Sequence, residues 1–158
     1  MTNSEFKHAV IVGASSGIGE ALARRLAADG ARVAVVARRE TELRRVIGEI
    51  NAEAGEERAV ALVHDVRDAG DVPELFQEIA QRLGGLDLVV YAAGVLPKIE
   101  ADEYNTDKDR EILEINLAGA VAWLNPAAER FARLGRGTIV GIGSVAGDRG
   151  RSGNPVYC

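Results

Sequence analysis

Five short apolar runs, each separated from the next by a stretch of helical periodicity, constrain this chain more than any other feature. They are Ala9-Val10-Ile11-Val12, Val33-Ala34-Val35-Val36, Ala59-Val60-Ala61-Leu62-Val63, Leu86-Asp87-Leu88-Val89-Val90-Tyr91 and Gly137-Thr138-Ile139-Val140-Gly141-Ile142. Short, valine-rich and bounded by turn residues, they read as buried strands. A first helix starts at Ile18, and a second covers 40–54, where Leu43, Val46, Ile47 and Ile50 fall on one face. A third begins near residue 71, with Pro73 in its first turn and Val72, Leu75, Phe76, Ile79 and Leu83 as its buried stripe. Gly30, Gly55 and Gly84-Gly85 sit where helices end. A loop from 97 to about 102 leads into a helical stretch over about 107–134, which Pro126 is expected to kink or break. Strictly alternating strands and helices require parallel pairing, with crossovers covering both faces. The expected fold is α/β, a doubly wound parallel sheet in three layers, built as one domain over 1–158.

Such a sheet binds ligands outside the carboxyl ends of its strands, so residues just after each run rank highest. After the first run stands Gly13-Ala14-Ser15-Ser16-Gly17-Ile18-Gly19. A strand, a glycine turn and a helix N-terminus in that order make a phosphate cradle, because first-turn N–H groups point outward and absent side chains allow close approach. Gly13 suits the tight turn, Gly17 the approach of a pyrophosphate, and Gly19 the packing of helix on strand. The second run ends in Ala37-Arg38-Arg39, where a site for NAD(H) usually carries a carboxylate. Guanidinium groups suit a ribose 2′-phosphate, so NADP(H) is preferred over NAD(H). The alternative is that the two arginines solvate a helix start, although cations suit that end poorly. After the third run, Asp65 either accepts from an adenine amino group, with Val66 packed on the ring, or opens the next helix.

Composition narrows the partners. The 158 residues carry a net charge of −5 and a sequence pI of about 5.1, which gives no electrostatic case for nucleic acid. No apolar stretch approaches the roughly 20 residues that span a bilayer, and residues 1–7 are too polar for a signal segment. The one cysteine, Cys158, suits a reducing cytosol, so a cytoplasmic location is expected. His8 and His64 are far apart without cysteine partners, so no metal site is expected and both read as strand-end surface residues.

Several motifs in order resemble the compact, non-extended short-chain dehydrogenase/reductase family, whose sheet is a Rossmann fold. They are Gly13-x-x-x-Gly17-x-Gly19, Ala93-Gly94 after the fourth run, and Asn116 in Asn116-Leu117-Ala118-Gly119. Ser144 in Gly143-Ser144-Val145-Ala146-Gly147 and Tyr157, thirteen residues later, complete the set. The resemblance extends from Lys7 to Cys158. It implies Tyr157 as acid or base, Ser144 as donor to the substrate oxygen and Asn116 as holder of a relay water. Ser15, Ser16, Ile18, Ala92, Ala93 and Gly94 would join the glycines around the dinucleotide. The substrate would be a small alcohol or carbonyl compound, and the complete enzyme a homo-oligomer. Alkoxide charge develops when a carbonyl accepts hydride, and positioned O–H donors stabilise and then protonate it. Taken singly, Ser144 is also a plausible turn residue, Asn116 a helix irregularity and Tyr157 a half-buried aromatic.

Two departures stand out. The family's Asn-Asn-Ala-Gly is here Tyr91-Ala92-Ala93-Gly94, so the bracing between neighbouring strands must differ. The family's lysine four positions after the tyrosine has no counterpart within the 158 residues. A cation about 4 Å away at an effective dielectric of about 20 is worth roughly 4 kcal/mol. The expectation is therefore an N-terminal part of a longer enzyme, lacking later strands, with Tyr157 frayed and weak turnover. A non-catalytic nucleotide-binding module and a methyltransferase are the competing classes. A mere binder needs neither Ser144 nor Tyr157, and Ala37-Arg38-Arg39 does not suit a methyl donor. Asp148, Arg149 and Arg151 read as a solvated loop, the alternative being contact with a polar substrate.

Overall fold

The alternation is realised as β1 (His8–Val12), α1 (Gly17–Ala28), β2 (Arg32–Ala37), α2 (Glu40–Ala54), β3 (Ala59–Val63), α3 (Val72–Leu83) and β4 (Leu88–Tyr91). There follow α4 (Thr106–Ile112), a π turn (Leu113–Ala118), α5 (Gly119–Leu134) and β5 (Thr138–Gly141). The computed structural model describes residues 5–100, 102–150 and 154–158, so Arg151 lies outside the described residues. The five strands form one parallel sheet in the order β3-β2-β1-β4-β5. Strand order reverses between β1 and β4, and the crevice of a doubly wound sheet opens at that point.

Alternate residues of each strand serve opposite layers, as a period of two demands. Ala9, Ile11, Val33, Val35, Leu88 and Val90 pack with Ala23 and Leu26 of α1 and Leu43, Val46 and Ile50 of α2. Val10, Val12, Ala34, Val36, Val89 and Tyr91 pack with Phe76 and Ile79 of α3 and Trp123, Ala127 and Phe131 of α5. Burying each such side chain contributes about 1.5–3 kcal/mol before ordering costs. A strand with both faces buried has no polar positions to spare, hence the unbroken apolar runs in the sequence. Helix ends follow their signals: Gly55, Gly84 and Gly135 cap α2, α3 and α5 in the left-handed conformation.

Pro126 departs from expectation. It lies inside α5, which continues through it, and the helical irregularity falls at Leu113–Ala118 instead. Trp123 before the proline and Ala127 and Phe131 after it are buried in one cluster, which ties both halves of the helix to the core. His64 also differs from a surface residue: it is 6% exposed and its ring meets Trp123 edge-on with centroids 5.6 Å apart. Its burial follows from β3 pairing one residue further, the His64 N–H donating to the Ala37 carbonyl at 3.0 Å. His8 is partly exposed, its Nδ1 3.7 Å from the Asp87 carboxylate.

Candidate active site

The glycine turn is held by backbone packing. Gly13 has φ +89°, and a Cβ there would lie 2.4 Å from the Ala93 nitrogen; at Gly19 it would lie 2.4 Å from the Gly13 carbonyl oxygen. Strand, turn and helix can approach this closely only without side chains. Gly17, at φ +61°, faces open space, and no side chain caps the N-terminus of α1. The Ser16 hydroxyl, placed to cap, accepts instead from Arg39 Nη2 at 2.6 Å, and Ser15 Oγ accepts from the same guanidinium at 2.8 Å. Free first-turn donors with a guanidinium alongside form a donor set that fits a dinucleotide diphosphate.

Two clefts open from this turn. Gly13, Ser15, Ser16, Arg38, Arg39, Val66, Ala92, Ala93 and Gly94 line the first, about 300 Å³, with His64 and Ile115 in its wall. Ile18, Asn116, Ser144 and Tyr157 line the second, about 410 Å³. Residues 92–95 wall both, so the clefts share a partition at the carboxyl end of β4. Each volume falls within the range of small-molecule sites. Of the expected site residues, Gly17, Gly19 and Asp65 line neither cleft.

Asp65 forms a local turn with Arg67, ahead of α3. Its Oδ1 accepts from the Arg67 N–H at 3.1 Å, and Oδ2 from Arg67 Nη2 at 2.5 Å. The Arg67 guanidinium, with Arg38 Nη1 3.7 Å away, holds this carboxyl down at about 2. His64 Nε2 is buried without a hydrogen-bond partner, and burial pushes the imidazole down, against the opposing pull of Asp68, Asp71 and Asp65.

The second cleft is assembled by side chains. Asn116 Oδ1 accepts from the Val95 N–H at 2.8 Å while Nδ2 donates to the Val95 carbonyl at 2.9 Å. That pair of hydrogen bonds clamps the segment after β4 to the π turn. Ser144 ends the segment after β5, its Oγ accepting from the Ala146 N–H at 3.1 Å, and it keeps its own proton to donate. Tyr157 lies in a turn closed by the Cys158 N–H on the Asn154 carbonyl at 3.3 Å. Asn154 Nδ2 donates to the Pro97 carbonyl at 3.0 Å, so this segment is tied to the loop after β4 rather than frayed. A third opening of about 970 Å³ extends from Ser144 and Tyr157 past Leu96, Val145 and Arg149.

Two participants, Val95 and His64, were not read as site residues from the sequence, and a third, Tyr91, was read only as a departure from the family motif. Val95 acts through its peptide group, which no side-chain pattern reveals. His64 was discoverable only from its place at the carboxyl end of a strand. Tyr91 answers the bracing problem: its phenol donates to the Ile115 carbonyl, so the tie runs to a helix rather than to a neighbouring strand.

The comparisons with known proteins agree with this architecture. The family model for short chain dehydrogenases matches residues 7–158. Over 151 residues the chain is 35% identical to a 3-oxoacyl-(acyl-carrier-protein) reductase of Bos taurus, covering 96% of this chain and 62% of that protein. It is 35% identical over 157 residues to an uncharacterised oxidoreductase of Myxococcus xanthus, covering 99% and 61%. Among solved structures, a variant of actinorhodin polyketide ketoreductase determined with NADPH superposes with a TM-score of 0.86 at 33% identity, covering 99% of this chain and 60% of that one. A short chain dehydrogenase from Mycobacterium smegmatis gives 0.89 at 25% identity, covering 99% and 66%. The chain thus spans about three fifths of the length of the curated relatives it matches. With its sheet order, its glycine turn and a matching family model, this chain belongs to the short-chain dehydrogenase family.

Proposed function

We propose that the chain is the dinucleotide-binding and catalytic part of an NADP(H)-dependent oxidoreductase acting on a small alcohol or carbonyl substrate. The observation that carries this reading is the joined pair of clefts, an arginine-flanked helix N-terminus in one and Ser144, Tyr157 and Asn116 around the other. Gly13, Ser15, Ser16, Gly17 and Gly19 would hold the diphosphate, and Arg38 and Arg39 the 2′-phosphate. Val66 and Asp65 would bound the adenine, Arg67 and Arg38 steadying the carboxylate. Ile18, Ala92, Ala93 and Gly94 would guide the dinucleotide between the clefts. A bound nicotinamide supplies or accepts the hydride. The chain's own part is to place the Ser144 hydroxyl on the substrate oxygen and to move a proton through the Tyr157 hydroxyl. Asn116 holds the partition while its neighbourhood retains a relay water.

The same reading takes the chain as a cytoplasmic, single-domain, nucleotide-binding unit, the one cysteine suiting a reducing compartment. Homo-oligomeric assembly has support in Leu113, Leu117 and Val121, each about half exposed along the π turn and the first turn of α5. Among the described residues, no helix is long and apolar enough to cross a membrane. A non-catalytic binding module is the second reading, favoured by one observation: the Asn116 amide is already committed to Val95 through both of its polar atoms. Fluorescence titration with NADPH and NADH, followed by a panel of ketones and alcohols, separates the readings. NADPH binding with carbonyl reduction lost in Ser144→Ala supports the enzyme. Binding without turnover on any substrate supports the module, and failure to bind either nucleotide sinks both.

A further inference from the structure

Tyr91 occupies the last position of β4, 2% exposed, paired with Val12 on one side and Gly141 on the other. Its side chain crosses out of the sheet to donate to the carbonyl of Ile115, inside the π turn. A π turn shifts helical bonding from i+4 to i+5, and the Tyr91 phenol meets one of the carbonyls within that shifted stretch. Gly119, one turn on, is shaped around this phenol. A Cβ there would stand 2.5 Å from the Tyr91 oxygen and 3.0 Å from Val66 Cβ. The next residue after Ile115 is Asn116, whose amide grips both polar atoms of the Val95 peptide. The segment 91–95 is therefore fastened to the π turn at its two ends, by neighbouring residues 115 and 116. Between those fastenings lies the partition that both clefts share.

We propose that Tyr91 is a positioning residue, whose phenol sets the π turn so that Asn116 holds residues 92–95 as the partition between the nucleotide and Ser144/Tyr157 clefts. Its functional consequence rests on the reading of those clefts given above, while its structural content does not. Tyr91 touches neither cleft and works through Ile115 and Asn116. Burial pushes its phenol well above the usual tyrosine range, with the Asp65 charge adding to the effect, so the hydroxyl stays a donor at any working pH.

The test uses the isotope-labelled 158-residue chain in solution. In Tyr91→Phe, the Val95 amide should exchange about tenfold faster while Val10 and Ile11 of β1 keep their rates. The Asn116 side-chain amide signals should move toward free positions, and the NADPH dissociation constant should rise several-fold. Gly119→Ala presses on the phenol from the opposite side and should loosen Val95 in the same way. Its effect should shrink in the Tyr91→Phe background, since the oxygen it strikes is gone. The parent chain offers a measurement that needs no variant: slow exchange of the Tyr91 hydroxyl proton. A folded Tyr91→Phe with Val95 and Asn116 unchanged overturns the proposal, as does uniform loosening of every amide or a fast-exchanging hydroxyl in the parent. If the parent binds no nucleotide, the dinucleotide reading fails, and Val95 and Asn116 still decide the role of Tyr91.

Discussion

The two clefts are built from different materials. The first rests on backbone: Gly13 against Ala93, Gly19 against the Gly13 carbonyl, and an uncapped helix start. The second rests on side-chain bonds between segments far apart in sequence: Asn116 to Val95, Tyr91 to Ile115, Asn154 to Pro97. A backbone-built site tolerates no added atom but asks nothing of distant residues. A side-chain-built site tolerates small changes, each costing one bond, yet depends on several elements arriving together.

The largest expected effect breaks the first material. Gly13→Ala places a Cβ against backbone atoms at a φ of +89°. We expect a loss of about 3 kcal/mol or more in urea unfolding, the scale of strain that cannot relax. In the second cleft Ser144→Ala should leave the melting transition nearly unchanged and lower carbonyl reduction by about 10²-fold, the usual cost of removing one donor to a developing oxyanion. If Ser144→Ala unfolds the chain instead, the contrast between the clefts fails.

Arg39→Ala sharpens the contrast at the boundary. Its guanidinium serves Ser15 and Ser16 now and a 2′-phosphate in the proposed complex. NADPH affinity should fall about tenfold and NADH affinity hardly at all. Asp65 gives a smaller, pH-dependent effect. Its folded pKa of about 2 lies below the unfolded value of about 3.9, so the stability it contributes is present above pH about 4. That stability is lost as pH falls through about 2, and Asp65→Asn should flatten this part of the acid limb of an unfolding curve. The smallest effect has the opposite sign: Gly48 lies in mid-α2 with nothing near its Cβ position, so Gly48→Ala should stabilise by about 0.5–1 kcal/mol.

The same contrast explains what the sequence could disclose. Strands buried on both faces and helices with one apolar stripe write their periods directly, and α2 falls on 40–54 as its spacing predicts. The glycine turn was legible because only glycine meets its geometry. Pro126 does not break the helix as one of its two expected outcomes had it, because Trp123, Ala127 and Phe131 pack on either side of it. The π turn was legible only as one reading of Asn116, a helix irregularity, because the Tyr91 phenol that meets the Ile115 carbonyl comes from a strand 24 residues earlier. His64 looked like a strand-end surface group because burial there depends on where α5 places Trp123.

The π turn also acts as a rotary spacer. One surplus residue within Leu113–Ala118 sets α4 and α5 out of phase by about 100°, the angular step of a single helical residue. Ile112 before the insert and Trp123, Ala127 and Phe131 after it are all buried, so packing holds both helices to the core across that step. Removing one residue there, which by helical propensity alone looks harmless, would turn α5 against α4 by that step and force its buried indole to repack.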